Sequence, residues 1–183
     1  MNETDIPLYK HTFVTEFFEI DTVPFNRKND LIKNIKKLNF KTIDCVESTY
    51  DKTNNVLENK GFEKFKNFIT NYIQAINLNF LNKKKFAIGN SWFQLYKKEQ
   101  HHTFHTHGYT ENQFSLIYYI KVTENSSKTV FQFPGYPYIE NQQRYKIKPK
   151  ENKLIIFPAY IPHYVEPNKD KSRLIFSCNF KTF

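Results

Sequence analysis

Cysteine is almost missing from this chain. Only Cys45 and Cys178 occur in 183 residues, too few for the disulfide framework of a small secreted domain, so two reduced thiols are expected. No apolar run approaches the ~20 residues that a membrane-spanning helix needs. The first ten residues, MNETDIPLYK, are polar and acidic, where a secretory signal would be basic and then apolar. A cytoplasmic protein without membrane association is therefore expected. Glycine occurs four times, and with neither a Gly/Ser-rich linker nor an internal repeat the chain reads as one domain, 1–183. Arginine is scarce as well: Arg27, Arg144 and Arg173 are the only ones among 27 basic residues.

Lysine is abundant and gives a formal net charge of +9. A basic balance of this kind leaves nucleic-acid binding open without favouring it, because the lysines are scattered rather than gathered in one stripe. A hydrophobic fraction of 39% with 25% charged residues is that of a globular protein.

The chain divides into a lead-in, 1–85, and a β-rich core, 86–183. Residues 7–20 are β-branched and aromatic enough to form one or two strands. Leu31, Ile32, Ile35 and Leu38 recur at helical spacing, and Phe62, Phe65, Ile69, Tyr72, Ile73 and Ile76 form a second, clearer helical stripe. The stretch between these helices, STYDKTNNVLEN, reads as a loop. From residue 86 the period drops to two, predicting strands near 86–96, 101–107, 113–121, 129–133, 144–148, 153–157, 163–165 and 173–180. Turn signals separate them, such as ENSSK at 124–128 and PKEN at 149–152. A mainly β (α+β) protein is expected: a double-stranded β-helix, or jelly roll, with the helices packed on one sheet.

Four of the six histidines fall in HHTFHTH, 101–107. On a regular strand alternate residues share a face, which would group His101, Thr103, His105 and His107 and leave His102 on the other side. Two imidazoles at i and i+2 can then point at one metal ion, and His163 is the other histidine of the β region. An HxH pair can equally be two surface histidines of a non-catalytic jelly-roll binding protein. Arg173 opens the last strand ten positions after His163 and shares its face with Ile175, Ser177 and Asn179. A guanidinium there suits bidentate capture of a carboxylate, or a surface ion pair at a turn.

Five segments in this order resemble the 2-oxoglutarate/Fe(II)-dependent oxygenases, closest to a small group of that family with an HxH…H…R pattern. They are SWFQLY (91–96), HTHGY (105–109), FSLIYYI (114–120), IIFPAYIPHYVEPN (155–168) and RLIFSCNF (173–180). The resemblance implies Fe(II) held by His105, His107 and His163, and 2-oxoglutarate held by Arg173, with Tyr96, Tyr118 and Ser177 as further pocket residues. It implies oxidative decarboxylation of 2-oxoglutarate to succinate and CO2 with hydroxylation of a small-molecule or peptide substrate. The wider family carries Asp or Glu where this chain has His107, and often Ser or Thr where it has Ile175. A competing reading takes HTHGYTE as the HxHxxxE segment of a cupin, with Glu111 as a fourth ligand and no use for 2-oxoglutarate. The loop PGYPYIENQQ, 134–143, is a candidate cover for the mouth of the site.

Overall fold

A computed structural model describes residues 17–51, 55–132 and 144–183. The candidate loop at 134–143 and the early part of the 7–20 stretch lie outside the described residues. The remainder forms two helices and eleven strands. In chain order these are β1 (Phe18–Ile20), α1 (Lys28–Ile35), β2 (Lys41–Ile43), β3 (Val46–Ser48), α2 (Glu63–Asn79), β4 (Phe86–Lys97), β5 (His102–His105) and β6 (Gln113–Lys121). They continue with β7 (Thr129–Gln132), β8 (Arg144–Ile147), β9 (Leu154–Pro158), β10 (His163–Val165) and β11 (Ser172–Thr182). The β-strands expected after residue 86 are present. The lead-in holds in addition the short hairpin β2–β3, whose turn places Asp44 at φ 52. Three-residue strands with exposed lysine and threonine carry too little alternation to be read from pattern.

The strands form a seven-stranded sheet, β1-β9-β6-β11-β4-β3-β2, facing a four-stranded sheet, β5-β10-β7-β8. Among the described residues, every ladder between these strands is antiparallel, giving the double-stranded β-helix. The two faces of the large sheet are buried in different ways. Phe93, Leu116, Tyr118, Ile156, Phe176 and Cys178 point away from the small sheet and pack on the helices. There the α2 stripe of Phe65, Ile69, Ile73 and Ile76 is almost fully buried, each side chain contributing about 1.5–3 kcal/mol by leaving water. Phe65 alone lies against Phe93, Tyr118 and Phe176, with ring centroids 6.2, 5.9 and 5.0 Å away.

The opposite face looks into the space between the sheets. Tyr96, Ile117, Tyr119, Ile155, Phe157 and Ile175 meet Phe131, Ile147 and Val165 of the small sheet there. Three bulges interrupt these ladders, one of them in β6, where Leu174 pairs with Lys121 but Ile175 with Tyr119. Cys178 pairs with Ser91 but Phe180 with Ile88, so β4 holds one extra residue at Gly89–Asn90 and its side-chain parity resets. A further extra residue lies in β5, where His163 pairs with His105 but Val165 with His102.

Candidate metal centre

The β5–β10 ladder sets His105 directly opposite His163, and their ring centroids lie 4.3 Å apart. His107 follows just past the end of β5. Its ring is 4.8 Å from that of His105 and 5.0 Å from that of His163. One ligand atom from each of the three lies within 4.8 Å of the others, so the structure brings His105, His107 and His163 to a common point.

Two of the rings are held by the backbone. His105 Nδ1 is 2.7 Å from the Thr103 carbonyl and His163 Nδ1 is 3.1 Å from that of Ile161. A carbonyl only accepts, so each Nδ1 carries the proton and each Nε2 keeps its lone pair, as orienting contacts do in metal sites. His107 is fixed through its main chain, its N–H donating to Ala159 at 2.8 Å, and its ring packs against Trp92 at 5.5 Å. Gly108 permits this turn, because a Cβ there would run into the Gln113 side chain and Ala159.

Burial is the main reason all three rings stay neutral. It lowers the pKa of His107 to about 3, aided by His105 and His102, and lowers that of His105. His163, 3% exposed between Phe131 and Phe157, is held well below the usual 6.5. Three neutral imidazoles with converging lone pairs are the donor set of a divalent transition metal such as Fe(II).

The β5 bulge also corrects the expected grouping of histidines. His102 shares the inner side with His105, their centroids 4.0 Å apart, because the extra residue reverses the alternation between them. His102 Nε2–H faces Asp44 at 3.3 Å, and its Nδ1 accepts from Gln94 Nε2 at 3.2 Å. Its pKa falls to about 4, mainly through burial and then through His105, with Asp44 opposing.

At the other end of the inner face sits Arg173, paired in register with Tyr96 and 0% exposed. One guanidinium nitrogen donates to Thr129 Oγ1 at 2.8 Å, and the carbon lies over the rings of Tyr96 and Tyr119 at 4.5 and 5.3 Å. Thr129 Oγ1 is also 2.9 Å from the Tyr119 hydroxyl. The remaining Nε and Nη1 of Arg173 and the hydroxyl of Tyr96 are buried without a hydrogen-bond partner. No carboxylate pairs with this guanidinium among the described residues. An uncompensated buried cation costs several kcal/mol, and donors in this planar arrangement fit a ligand carboxylate. Burial lifts the Tyr96 pKa to about 12 against the pull of Arg173, so its O–H remains a donor.

A narrow cavity of about 20 Å3 runs between the two ends, lined by Tyr96, Thr129, the three histidines and His102. Ser177 lines it, but at the level of Trp92, its partner in the ladder. Ser177 thus stands four residues along β11 from Arg173, and the hydroxyls beside the guanidinium come from Thr129 and Tyr96. Tyr118, expected in the cofactor pocket, lies on the opposite face, its hydroxyl donating to the Val23 carbonyl at 2.9 Å. Tyr119 occupies the inner position instead, since Ser115, Ile117 and Tyr119 share one face of β6. Glu111, the competing ligand, is exposed in the turn before β6 and is not one of the converging donors.

Residues 90–179, which span the strands that carry these groups, match the family described as "Putative 2OG-Fe(II) oxygenase". Solved structures are similar across nearly the whole chain. The viral collagen prolyl hydroxylase of Paramecium bursaria Chlorella virus-1, in complex with 2-oxoglutarate, is 19% identical with a TM-score of 0.64, covering 91% of this chain and 96% of that one. A prolyl-4-hydroxylase from Pseudomonas putida is 13% identical, TM-score 0.64, over 90% and 91%. HygX from Streptomyces hygroscopicus, bound to nickel, 2-oxoglutarate and hygromycin B, is 9% identical, TM-score 0.67, over 91% and 83%. No curated protein sequence matches.

Proposed function

From an inner core that resembles the 2OG-Fe(II) oxygenase family over residues 90–179, we propose that this protein is an Fe(II)- and 2-oxoglutarate-dependent oxygenase that hydroxylates a C–H bond. One observation carries the reading. A fully buried Arg173 with unpaired donors lies against Tyr96 and Thr129, which line one cavity together with three convergent imidazoles. The residues fit both groups: His105, His107 and His163 would hold the iron, and Arg173, Tyr96 and Thr129 the far carboxylate of the 2-oxo acid.

When bound, iron and 2-oxoglutarate supply the oxidising chemistry: O2 is split, one oxygen ends in succinate as CO2 leaves, and the other ends in the substrate hydroxyl. The chain's own contribution is binding, orientation and dryness. Thr103 and Ile161 carbonyls fix two imidazoles in the tautomer that presents Nε2. Thr129 fixes the guanidinium, and Tyr96 and Tyr119 sandwich it so that its free N–H groups address one carboxylate. Phe131, Phe157, Val165 and Ile175 wall the cavity or its surroundings with apolar surface, which strengthens every charge interaction inside. His107 brings no negative charge where the wider family has a carboxylate, so metal affinity rests on lone pairs alone.

The substrate belongs to the peptide or small-molecule classes on which proteins with this fold act. Two unpaired thiols, Cys45 exposed and Cys178 buried, support a reducing compartment such as the cytoplasm. No helix among the described residues is long and apolar enough to cross a membrane. Purified protein with Fe(II), ascorbate and 2-oxoglutarate should release succinate above a metal-free control, and calorimetry should show 2-oxoglutarate binding. Absence of both turnover and binding would sink the proposal.

A further inference from the structure

The oxygenase reading leaves open whether the substrate is a compact metabolite or part of a chain. Two grooves adjoin at His107. One is walled by Asp44, Val46, Trp92 and the inner histidines. The other is walled by Gly89, Asn90, Gln113, Asn179 and Lys181. Tyr50, Thr106 and His107 line both, so together they form one trough that passes the proposed metal ligand. It follows β4 from Ala87 to Gln94, roughly 23 Å at about 3.3 Å per residue, the reach of about seven residues of extended chain.

Three features of this trough suit a polypeptide. First, Gly89 leaves open space on the trough side of the β4 bulge. Its φ is not positive, and a Cβ there would meet only the Asn179 carbonyl at 3.8 Å. A glycine at a bulge that faces a groove leaves room for another backbone to approach. Second, the walls carry amides, which match peptide groups in offering a donor and an acceptor. Asn179 is oriented by Ser115 at 2.7 Å and Asn90 at 3.0 Å, and from Phe86 to Ile88 the strand β4 pairs only with β11 among the described residues. Third, the trough is electrically polar: Asp44 is the only acidic side chain and Lys181 the only ammonium among its lining residues. A single cation is too few for a strand of phosphates.

We infer that, in the oxygenase proposed above, the substrate is an extended polypeptide segment laid along β4. Its reacting side chain reaches His107 where the two grooves adjoin at Tyr50 and Thr106, and an acidic flanking residue lies at Lys181. Recognition then combines backbone contacts with one side-chain pocket, a division of labour common to extended-peptide sites.

The test uses the iron-loaded full chain and three probe sets: peptides of about nine residues, long enough to overrun the trough, the matching N-acetyl amino-acid amides, and short DNA and RNA oligonucleotides. Each peptide pool fixes the central residue and randomises the flanks, and mass spectrometry reads the gain of one oxygen. Peptides with acidic residues on one flank should be oxygenated in preference to those with basic ones, and Lys181→Glu should reverse that order. Gly89→Leu, whose Cβ would meet no atom closer than 3.8 Å, should raise KM for the peptide about tenfold, equivalent to about 1.4 kcal/mol. Equal oxygenation of the blocked amino acids, oxygenation of the oligonucleotides instead, or a flank preference unmoved by Lys181→Glu would overturn the inference. Succinate release with no oxygenated peptide in any pool also overturns it and leaves the oxygenase reading standing. No succinate release and no 2-oxoglutarate binding removes both.

Discussion

Replacing Arg173 with methionine should make the ligand-free protein more stable and leave it unable to sense 2-oxoglutarate. In the parent, Nε and Nη1 are buried without partners, and each such donor costs about 1–3 kcal/mol. Against this stand one charged hydrogen bond to Thr129, about 1.5–3 kcal/mol, and the stacking over Tyr96 and Tyr119, about 0.5–2 kcal/mol. Desolvation of the cation itself tips the balance, since apolar replacement of buried charges is often stabilising by about 1–4 kcal/mol. Thr129 is not orphaned by the change, because its hydroxyl keeps Tyr119. A net gain of about 1–3 kcal/mol corresponds to a rise in Tm of roughly 2–12 °C for a chain of this size.

The parent should gain stability instead from its ligand. With Mn(II) present and 2-oxoglutarate at about a hundred times its Kd, the linkage is worth about 2.7 kcal/mol, or roughly 5–11 °C. Thermal melts of both proteins, with and without 2-oxoglutarate, give all four values. A ligand-free variant that melts below the parent, or one that still shifts with 2-oxoglutarate, refutes the reasoning.

Other expectations concern the metal and the histidines. His163→Ala should abolish stoichiometric binding of Fe(II) or Mn(II), whereas Glu111→Ala should leave metal content unchanged; elemental analysis of the loaded proteins distinguishes them. Thr129→Val removes the hydroxyl that holds the guanidinium and should raise KM for 2-oxoglutarate about tenfold, the worth of one such hydrogen bond, read in a succinate assay. In the metal-free protein the folded pKa of His102 is lowered to about 4 and that of His107 to about 3, while the unfolded chain takes up protons near 6.5. Their contribution to stability is thus complete above pH 6.5 and is lost as pH falls towards those values, by up to about 1.4 kcal/mol per pH unit for each ring. Urea melts across that interval should show the decline, and a flat profile would contradict the neutral, buried rings.

Strands with strong alternation were legible because their period is a local property. The same holds for the α2 stripe, and for Arg173, whose inward direction follows from its place on β11. The residues that escaped sequence reading depend on one-residue irregularities or on contacts between sheets. His102 joins the site only because β5 carries an extra residue, and nothing in HHTFHTH marks where a bulge falls. Whether Tyr118 or its neighbour Tyr119 faces the pocket depends on parity: Ser115 and Ile117 indicate the inner face of β6 only once that face is known to be inner. Thr129 reaches Arg173 from the other sheet, 44 residues away in sequence, and its partnership has no local pattern. The hairpin β2–β3, which supplies Asp44, was hidden by its brevity.

The two faces of β11 divide this strand between separate duties. Leu174, Phe176, Cys178 and Phe180 anchor the helices, while Arg173, Ile175, Ser177, Asn179 and Lys181 look towards the cavity and trough. Evolution can therefore retune what this protein recognises by rewriting every second letter of one strand, with the intervening letters keeping the scaffold folded. A deletion of one residue within β11 would exchange the two sets and forfeit both at once, so the strand should tolerate substitution far better than a change in length.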